Sequence, residues 1–267
     1  MEIQLWRELL APYQLAVDEL EVKFNHIIRE CHLKGSYSPI ERVEGRVKKI
    51  SSILDKMQKK DVNMNNLEEK IKDIAGIRII CQFVEDIYRV VEMIDERSDM
   101  TIIAQKDYIK TAKNTGYRSY HLIVEYEVNT LKGAKKLPVE IQIRTLAMDF
   151  WATVEHSLHY KYSHHIPEYI QDKLINASNA IVVLDQEMSA VRDEILDAQN
   201  AFSVKANLIS DILHNLQNLY RVGNRQEVQR IQEEFYKIYE QDDMEQLIRF
   251  GHQLDIIAEG HGAQSLH

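Results

Sequence analysis

The chain has 267 residues, 45% hydrophobic and 28% charged, a globular composition with room for one good-sized core or one domain plus a helical appendage. With 33 Lys and Arg against 42 Asp and Glu, the net charge is −9, which disfavours a non-specific nucleic-acid binder but leaves room for a local basic pocket. No apolar run reaches the length of a membrane span, and the start MEIQLWRELL is no signal peptide.

Only 9 Gly and 4 Pro predict long regular elements. Residues 3–31 carry Leu5, Leu9, Tyr13, Val17, Leu20, Phe24 and Ile27 at helical spacing, predicting an amphipathic helix with a break near Pro12. A turn at 35–39 follows, then a second helix over 47–60 with Ile50, Ile53, Leu54 and Met57 on its apolar side, then a short loop holding Asn63, Asn65 and Asn66. The β-branched run 77–83 predicts a strand, 85–97 a helix and 100–104 a second strand. Residues 120–128 and 137–144 predict two more strands, antiparallel neighbours joined by a polar loop at 129–136. Helix returns over 146–160. The middle is thus a mixed sheet of four or five strands flanked by helices.

Beyond Pro167 the pattern is helical almost throughout. One apolar stripe runs from Leu174 to Ile195 and another from Leu208 to Leu219; Gly223-Asn224 breaks the pattern, a third stripe begins at Ile231, and 260–267 reads as frayed. The stripes leave open whether their partner is the domain, each other or another subunit. Cys31 and Cys81 fit neither a metal site nor a disulfide scaffold, and Cys81 in its apolar run reads as a buried thiol in a reducing compartment.

The sharpest chemical signal is the strand LPVEIQIR. Val139, Ile141 and Ile143 share one face; Glu140, Gln142 and Arg144 share the other. A solvated sheet face fits that alternation as well. In the preceding strand, however, Tyr117, Ser119 and His121 share a face, and antiparallel pairing brings them close to Glu140 and Gln142. A carboxylate, an amide, an imidazole and an aromatic ring on one patch suit a purine base and its sugar. Asp73, just before a core strand, is either a cap or a second carboxylate; facing Glu140, it would complete an oxygen pair for Mg²⁺. Positive charge comes from Arg46, Lys48, Lys56 and Arg78, with Ser52 at i+4 from Lys48. A helix so poor in acids, in an acidic chain, invites an anion such as the phosphates of ATP. Glycine-rich phosphate cradles are absent, so side chains and metal must hold the phosphates. The order of Glu155, His156 and His159 is not that of a helical zinc motif.

Four stretches, GRVKKISSILDK (45–56), DIAGIRIICQF (73–83), NTGYRSYHLIV (114–124) and VEIQIRTLAMDFWATVEHSLHYKY (139–162), resemble the small alarmone synthetases, single-domain members of the RelA/SpoT family. The likeness spans about residues 1–200. It implies an α+β, nucleotidyltransferase-like mixed sheet flanked by helices, with helical N- and C-terminal extensions. The implied division is an N-terminal helical region at 1–44, a synthetase core at 45–165, its C-terminal helix at 166–200, and a helical extension at 201–267. The implied activity is a cytoplasmic transfer of pyrophosphate from ATP to GDP or GTP, giving guanosine tetra- and pentaphosphate, the alarmones of the stringent response. Asp73 and Glu140 would then be catalytic and hold Mg²⁺. Arg46, Lys48, Ser52, Lys56 and Arg78 would bind ATP. Tyr117, His121, Gln142 and His156 on the 149–156 helix would bind the guanine nucleotide. Asp149 receives no assigned role.

The same resemblance implies a homotetramer and allosteric control by guanosine penta- or tetraphosphate. No hydrolase motif is found, so synthesis without hydrolysis is expected. Two further readings stand beside this one: a guanine-nucleotide sensor without turnover, and a regulator that binds RNA through its C-terminal helices.

Overall fold

The computed structural model describes residues 2–161, 167–222 and 225–260. They fall into two compact units, Met1–Ser189 and Ala190–His267. The first unit opens with α1 (Glu2–Leu33), unbroken through Pro12. Proline inside a helix costs about 3 kcal/mol. Against that, Tyr13, Ala16, Val17, Leu20 and Phe24 are all at most 1% exposed, and each large side chain buried contributes roughly 1.5–3 kcal/mol. Burial wins, and the expected break does not form.

The next element departs from the sequence reading. Residues expected to begin a helix at 47 instead finish a strand, β1 (Arg42–Val47), and α2 spans Ile50–Lys60. Of the four apolar positions expected on α2, Ile53 and Met57 are buried while Ile50 and Leu54 stay exposed. Helix α2 ends at Asp61, which takes a left-handed φ of 52°. The Asn-rich loop is a capped turn: the Asn63 side chain accepts from the backbone N–H groups of Asn65 and Asn66 and leads into α3 (Leu67–Lys70). Then come β2 (Ala75–Cys81), α4 (Val84–Asp95) and β3 (Met100–Asp107). The pair β4 (Tyr120–Thr130) and β5 (Gly133–Thr145) follows, with α5 (Leu146–Lys161) after it. The expected loop at 129–136 shrinks to a tight hairpin, since pairing continues to Thr130 opposite Gly133.

The five strands form one mixed sheet in the order β1-β2-β5-β4-β3. β2 and β5 are parallel; the other neighbours are antiparallel. Gly45, Ile77, Ile141 and Leu122 lie side by side across four strands. A Cβ on Gly45 would stand 2.4 Å from a Val17 methyl, so this row faces α1, which presses directly onto β1. Glu21 of α1 also accepts a 2.6 Å hydrogen bond from the Gly45 backbone N–H. Side chains one residue on, including Arg46, Arg78, Glu140, Gln142 and His121, point to the opposite face.

Helix α6 (Glu168–Val222) begins in the first unit. The second unit holds its later part with α7 (Arg225–Gln241) and α8 (Met244–Gly260), around a core of Ile212, Leu216, Leu219, Val228, Phe235, Leu247, Phe250 and Leu254. The expected break at Gly223-Asn224 and the frayed end from 261 lie outside the described residues. Among the described residues, no helix is long and apolar enough to cross a membrane.

Candidate active site

Two adjoining cavities open on the sheet face away from α1. The smaller, about 150 Å³, is lined by Arg46, Lys48, Asp73, Arg78, Glu140 and their neighbours. The larger, about 640 Å³, takes in Lys56, Tyr108, Lys113, Tyr117 and His121. Arg46, Asp73, Glu140 and Gln142 line both. The cations expected on the donor side and the patch expected for a purine thus meet at the two carboxylates.

On the cationic side, the lysines are arranged differently from the helical spacing first read. Lys48 precedes Lys49, the N-cap of α2, and so lies off the helix. Lys48 and Lys56 meet at Asp73 Oδ2, each Nζ donating over 2.5 Å. Burial pushes the Asp73 carboxyl up, but the hydrogen bonds and charges of the two lysines together outweigh it and hold the group below the usual carboxylate range. Its other oxygen, Oδ1, is buried and has no hydrogen-bond partner. Arg78 is depressed first by burial and then by the charge of Arg144, with Asp149 opposing and Arg46 adding to it. Cations that destabilise one another in a concave site call for an anion.

The other side is a hydrogen-bonded circuit. Glu140 Oε2 accepts from Gln142 Nε2 at 2.8 Å, and Glu140 Oε1 lies 3.2 Å from His121 Nδ1. His121 Nε2 lies 2.8 Å from the Tyr117 hydroxyl. Burial pushes Glu140 up; the hydrogen bond from His121, the charge His121 carries when protonated and the hydrogen bond from Gln142 together more than offset that, while the charge of Asp73 works against them. Both carboxylates line both cavities. Lys113 Nζ sits over the rings of both Tyr108 and Tyr117, 4.6 Å from each centroid.

Ser52 and His156 are not gathered in; both are exposed and line neither cavity. The side chain of His159, and His164 and His165 entirely, lie outside the described residues. Sequence reasoning overlooked Tyr108, Lys106 and Lys113, and Lys60, Lys70 and Lys72 at the rim of the larger cavity. The signal for Tyr108 and Lys113 was their nearness to the GYRSYH segment; the rim lysines carried none.

Among the described residues, no cluster of three or more His, Cys, Asp or Glu side chains could hold a metal on its own. The donors that are present suit a hard cation: two carboxylates on one cavity, one of them with a buried, unpartnered oxygen. Magnesium takes few protein oxygens and fills its shell with water and phosphate.

Residues 45–165 match the region found in RelA / SpoT proteins. The GTP pyrophosphokinase YjbM of Bacillus subtilis is 51% identical over 205 residues, 77% of this chain and 97% of that protein. YwaC, another GTP pyrophosphokinase of Bacillus subtilis, is 41% identical over 71% of this chain and 91% of its own. The crystal structure of small alarmone synthetase 1 from Bacillus subtilis bound to its product pppGpp superposes with a TM-score of 0.70 at 50% identity, covering 72% of this chain and 99% of that one. With nearly the full length of such relatives matched at this identity, the chain belongs to the RelA/SpoT family.

Proposed function

We propose that the protein transfers the β,γ-pyrophosphate of ATP to the 3′-hydroxyl of GDP or GTP, forming guanosine tetra- or pentaphosphate and releasing AMP. The observation that carries this is the meeting of Asp73 and Glu140 on one cavity, between a cluster of cations and an aromatic patch. In this reading Arg46, Lys48, Lys56 and Arg78 hold the ATP phosphates. Arg offers paired donors to phosphate oxygens, and Lys a mobile point charge. Tyr117 stacks on the guanine and aims the ribose.

The 3′-oxygen attacks the β-phosphorus while the bond from that phosphorus to the oxygen bridging to the α-phosphate breaks, and AMP leaves with the bridging oxygen. Glu140 takes the hydroxyl proton. Its carboxyl sits below the usual range, so it is a weak base, and alignment and charge must supply most of the acceleration. Asp73 and Glu140 would hold Mg²⁺, which when bound neutralises phosphate charge. Homotetrameric assembly and allosteric tuning by the product belong to the same proposal and rest on the family relationship alone.

A sensor without turnover needs no second carboxylate with a free buried oxygen, so Asp73 favours the enzyme. The test uses purified protein with Mg²⁺, ATP labelled in its terminal phosphates, and GDP or GTP. Label in a more highly phosphorylated guanine nucleotide, with an equal amount of AMP, is expected. Formation of ADP and phosphate alone, or no transfer, would end the proposal.

A further inference from the structure

Arg144 is absent from the site as read from sequence, yet it closes the circuit around Glu140. Its guanidinium is nearly fully buried, with 4% of the residue exposed. One nitrogen, Nη2, donates to the Tyr117 hydroxyl at 2.6 Å and to Gln142 Oε1 at 2.8 Å. From Tyr117 the path continues to His121 and Glu140 Oε1; from Gln142 it continues to Glu140 Oε2. Five side chains therefore form a closed ring of hydrogen bonds. On its far side Arg144 Nη1 donates to Asp149 Oδ1 at 3.2 Å. Asp149 in turn faces Arg78 at 3.5 Å and Arg42 at 3.4 Å. The brace that holds Arg144 thus reaches a cation lining the smaller cavity.

We propose that Arg144 is a positioning residue that gives this ring its direction and, through it, links the aromatic face of Tyr117 to the carboxylate of Glu140. Guanidinium only donates. On the Tyr117 arm, the hydroxyl accepts from Arg144, so its single proton goes to His121 Nε2. A neutral imidazole that accepts at Nε2 carries its proton on Nδ1, and Nδ1 then donates to Glu140 Oε1. On the other arm, Gln142 accepts from Arg144 through its carbonyl oxygen and presents its NH₂ to Glu140 Oε2. Both arms run from Arg144 towards Glu140 and end with one donor on each carboxylate oxygen. Any acceptor that shifts the Tyr117 ring acts on that same path, which couples docking to the aim of the carboxylate. The effect on rate rests on the pyrophosphate-transfer reading; the proton arrangement does not.

The test separates the two. Nitrogen NMR of histidine-labelled full-length protein at pH 8 without nucleotide, with His121 assigned by His121→Gln, should show the proton on Nδ1. Y117F keeps the ring but removes the hydroxyl, and should abolish that single tautomer. In turnover assays Y117F should lower kcat about tenfold with the acceptor KM within about twofold. R144K, still a pure donor, should retain the tautomer and part of kcat, whereas R144M should lose both. A proton on Nε2 or on both nitrogens in the wild type would overturn the proposal, as would a Y117F protein with unchanged tautomer and kcat. Absence of transfer by the wild type would instead refute the functional reading and leave the tautomer result standing.

Discussion

Replacing Gly116 with alanine should damage stability and acceptor binding together. Gly116 has φ of +86°, where an L side chain costs about 1–3 kcal/mol. A Cβ there would stand 3.0 Å from Ser178 Cβ and 3.2 Å from Ile175 Cα. The second neighbour is backbone of α6, which has no rotamer to change, so either the helix or the loop must move. Overpacking of this kind costs about 1–3 kcal/mol, for a total of roughly 2–6 kcal/mol. The shift also strains the 2.5 Å hydrogen bond from Ser178 Oγ to the Gly116 carbonyl. Tyr117 follows directly, so the ring is displaced with the loop.

Both tryptophans, Trp6 and Trp151, belong to the first unit, and their fluorescence in a urea titration follows that unit. Gly35→Ala is the control: its φ is +62°, but a Cβ would meet nothing within 4 Å. Gly116→Ala should unfold at clearly lower urea than Gly35→Ala, and its KM for GDP should rise about 3- to 10-fold while that for ATP stays within about twofold. A Gly116→Ala protein no less stable than Gly35→Ala, with an unchanged acceptor KM, would refute the claim that α6 clamps this loop.

Glu140→Gln should remove synthesis, by about a hundredfold or more, with the urea midpoint nearly unchanged; ordinary turnover would exclude Glu140 from the chemistry. Tyr117→Ala should chiefly raise the acceptor KM, and an unaltered dependence on GDP and GTP would remove its stacking role. Burial pushes the Asp185 carboxyl up to about 6 from an ordinary 3.8, opposed by the Thr145 hydroxyl and aided by Glu85. The folded state therefore holds that proton more tightly than the unfolded chain, and the stability it contributes, full below 3.8, is lost as pH rises through about 6. Asp185→Asn should stabilise the first unit at pH 8 and lose that advantage towards pH 4; an equal difference at both would contradict the assignment.

Where the sequence was legible, two opposed environments left a clean period. Val139, Ile141 and Ile143 are fully buried against α1's side of the sheet, while Glu140 and Gln142 meet the cavity, so the strand and its chemical face could both be read. β1 was missed for the reverse reason. Its inward middle position is Gly45, because α1 approaches too closely for any side chain, and a strand with glycine in place of its central apolar residue shows no alternation. Lys48 reads as helical with Ser52 one turn on; the helix starts later, and Lys48 and Lys56 converge through Asp73 instead. Arg144 read as one more polar position, since burial of a charge through its partners leaves no mark on the sequence. Leu184, Met188, Val191 and Ile195 keep a helical period yet remain exposed, which shows that periodicity marks a face without naming what covers it.

The strand order explains why donor and acceptor groups separate so cleanly. One row of neighbours runs Glu44, Arg78, Gln142, His121, Lys106 across all five strands, from the cation cluster at one edge to the aromatic patch at the other. Asp73 precedes β2 by two residues, and Glu140 is opposite Gly76 near the start of that strand. Had β2 and β5 been antiparallel, the segment before β2 would lie beside the end of β5, and the carboxylates would be apart. The one parallel pair among the described strands is therefore what brings them to a common cavity. Its register is equally strict. A slip of one residue would turn Glu140 and Gln142 towards α1 and bury their polar groups among Val17 and its neighbours, so the packing that makes the core also fixes the site.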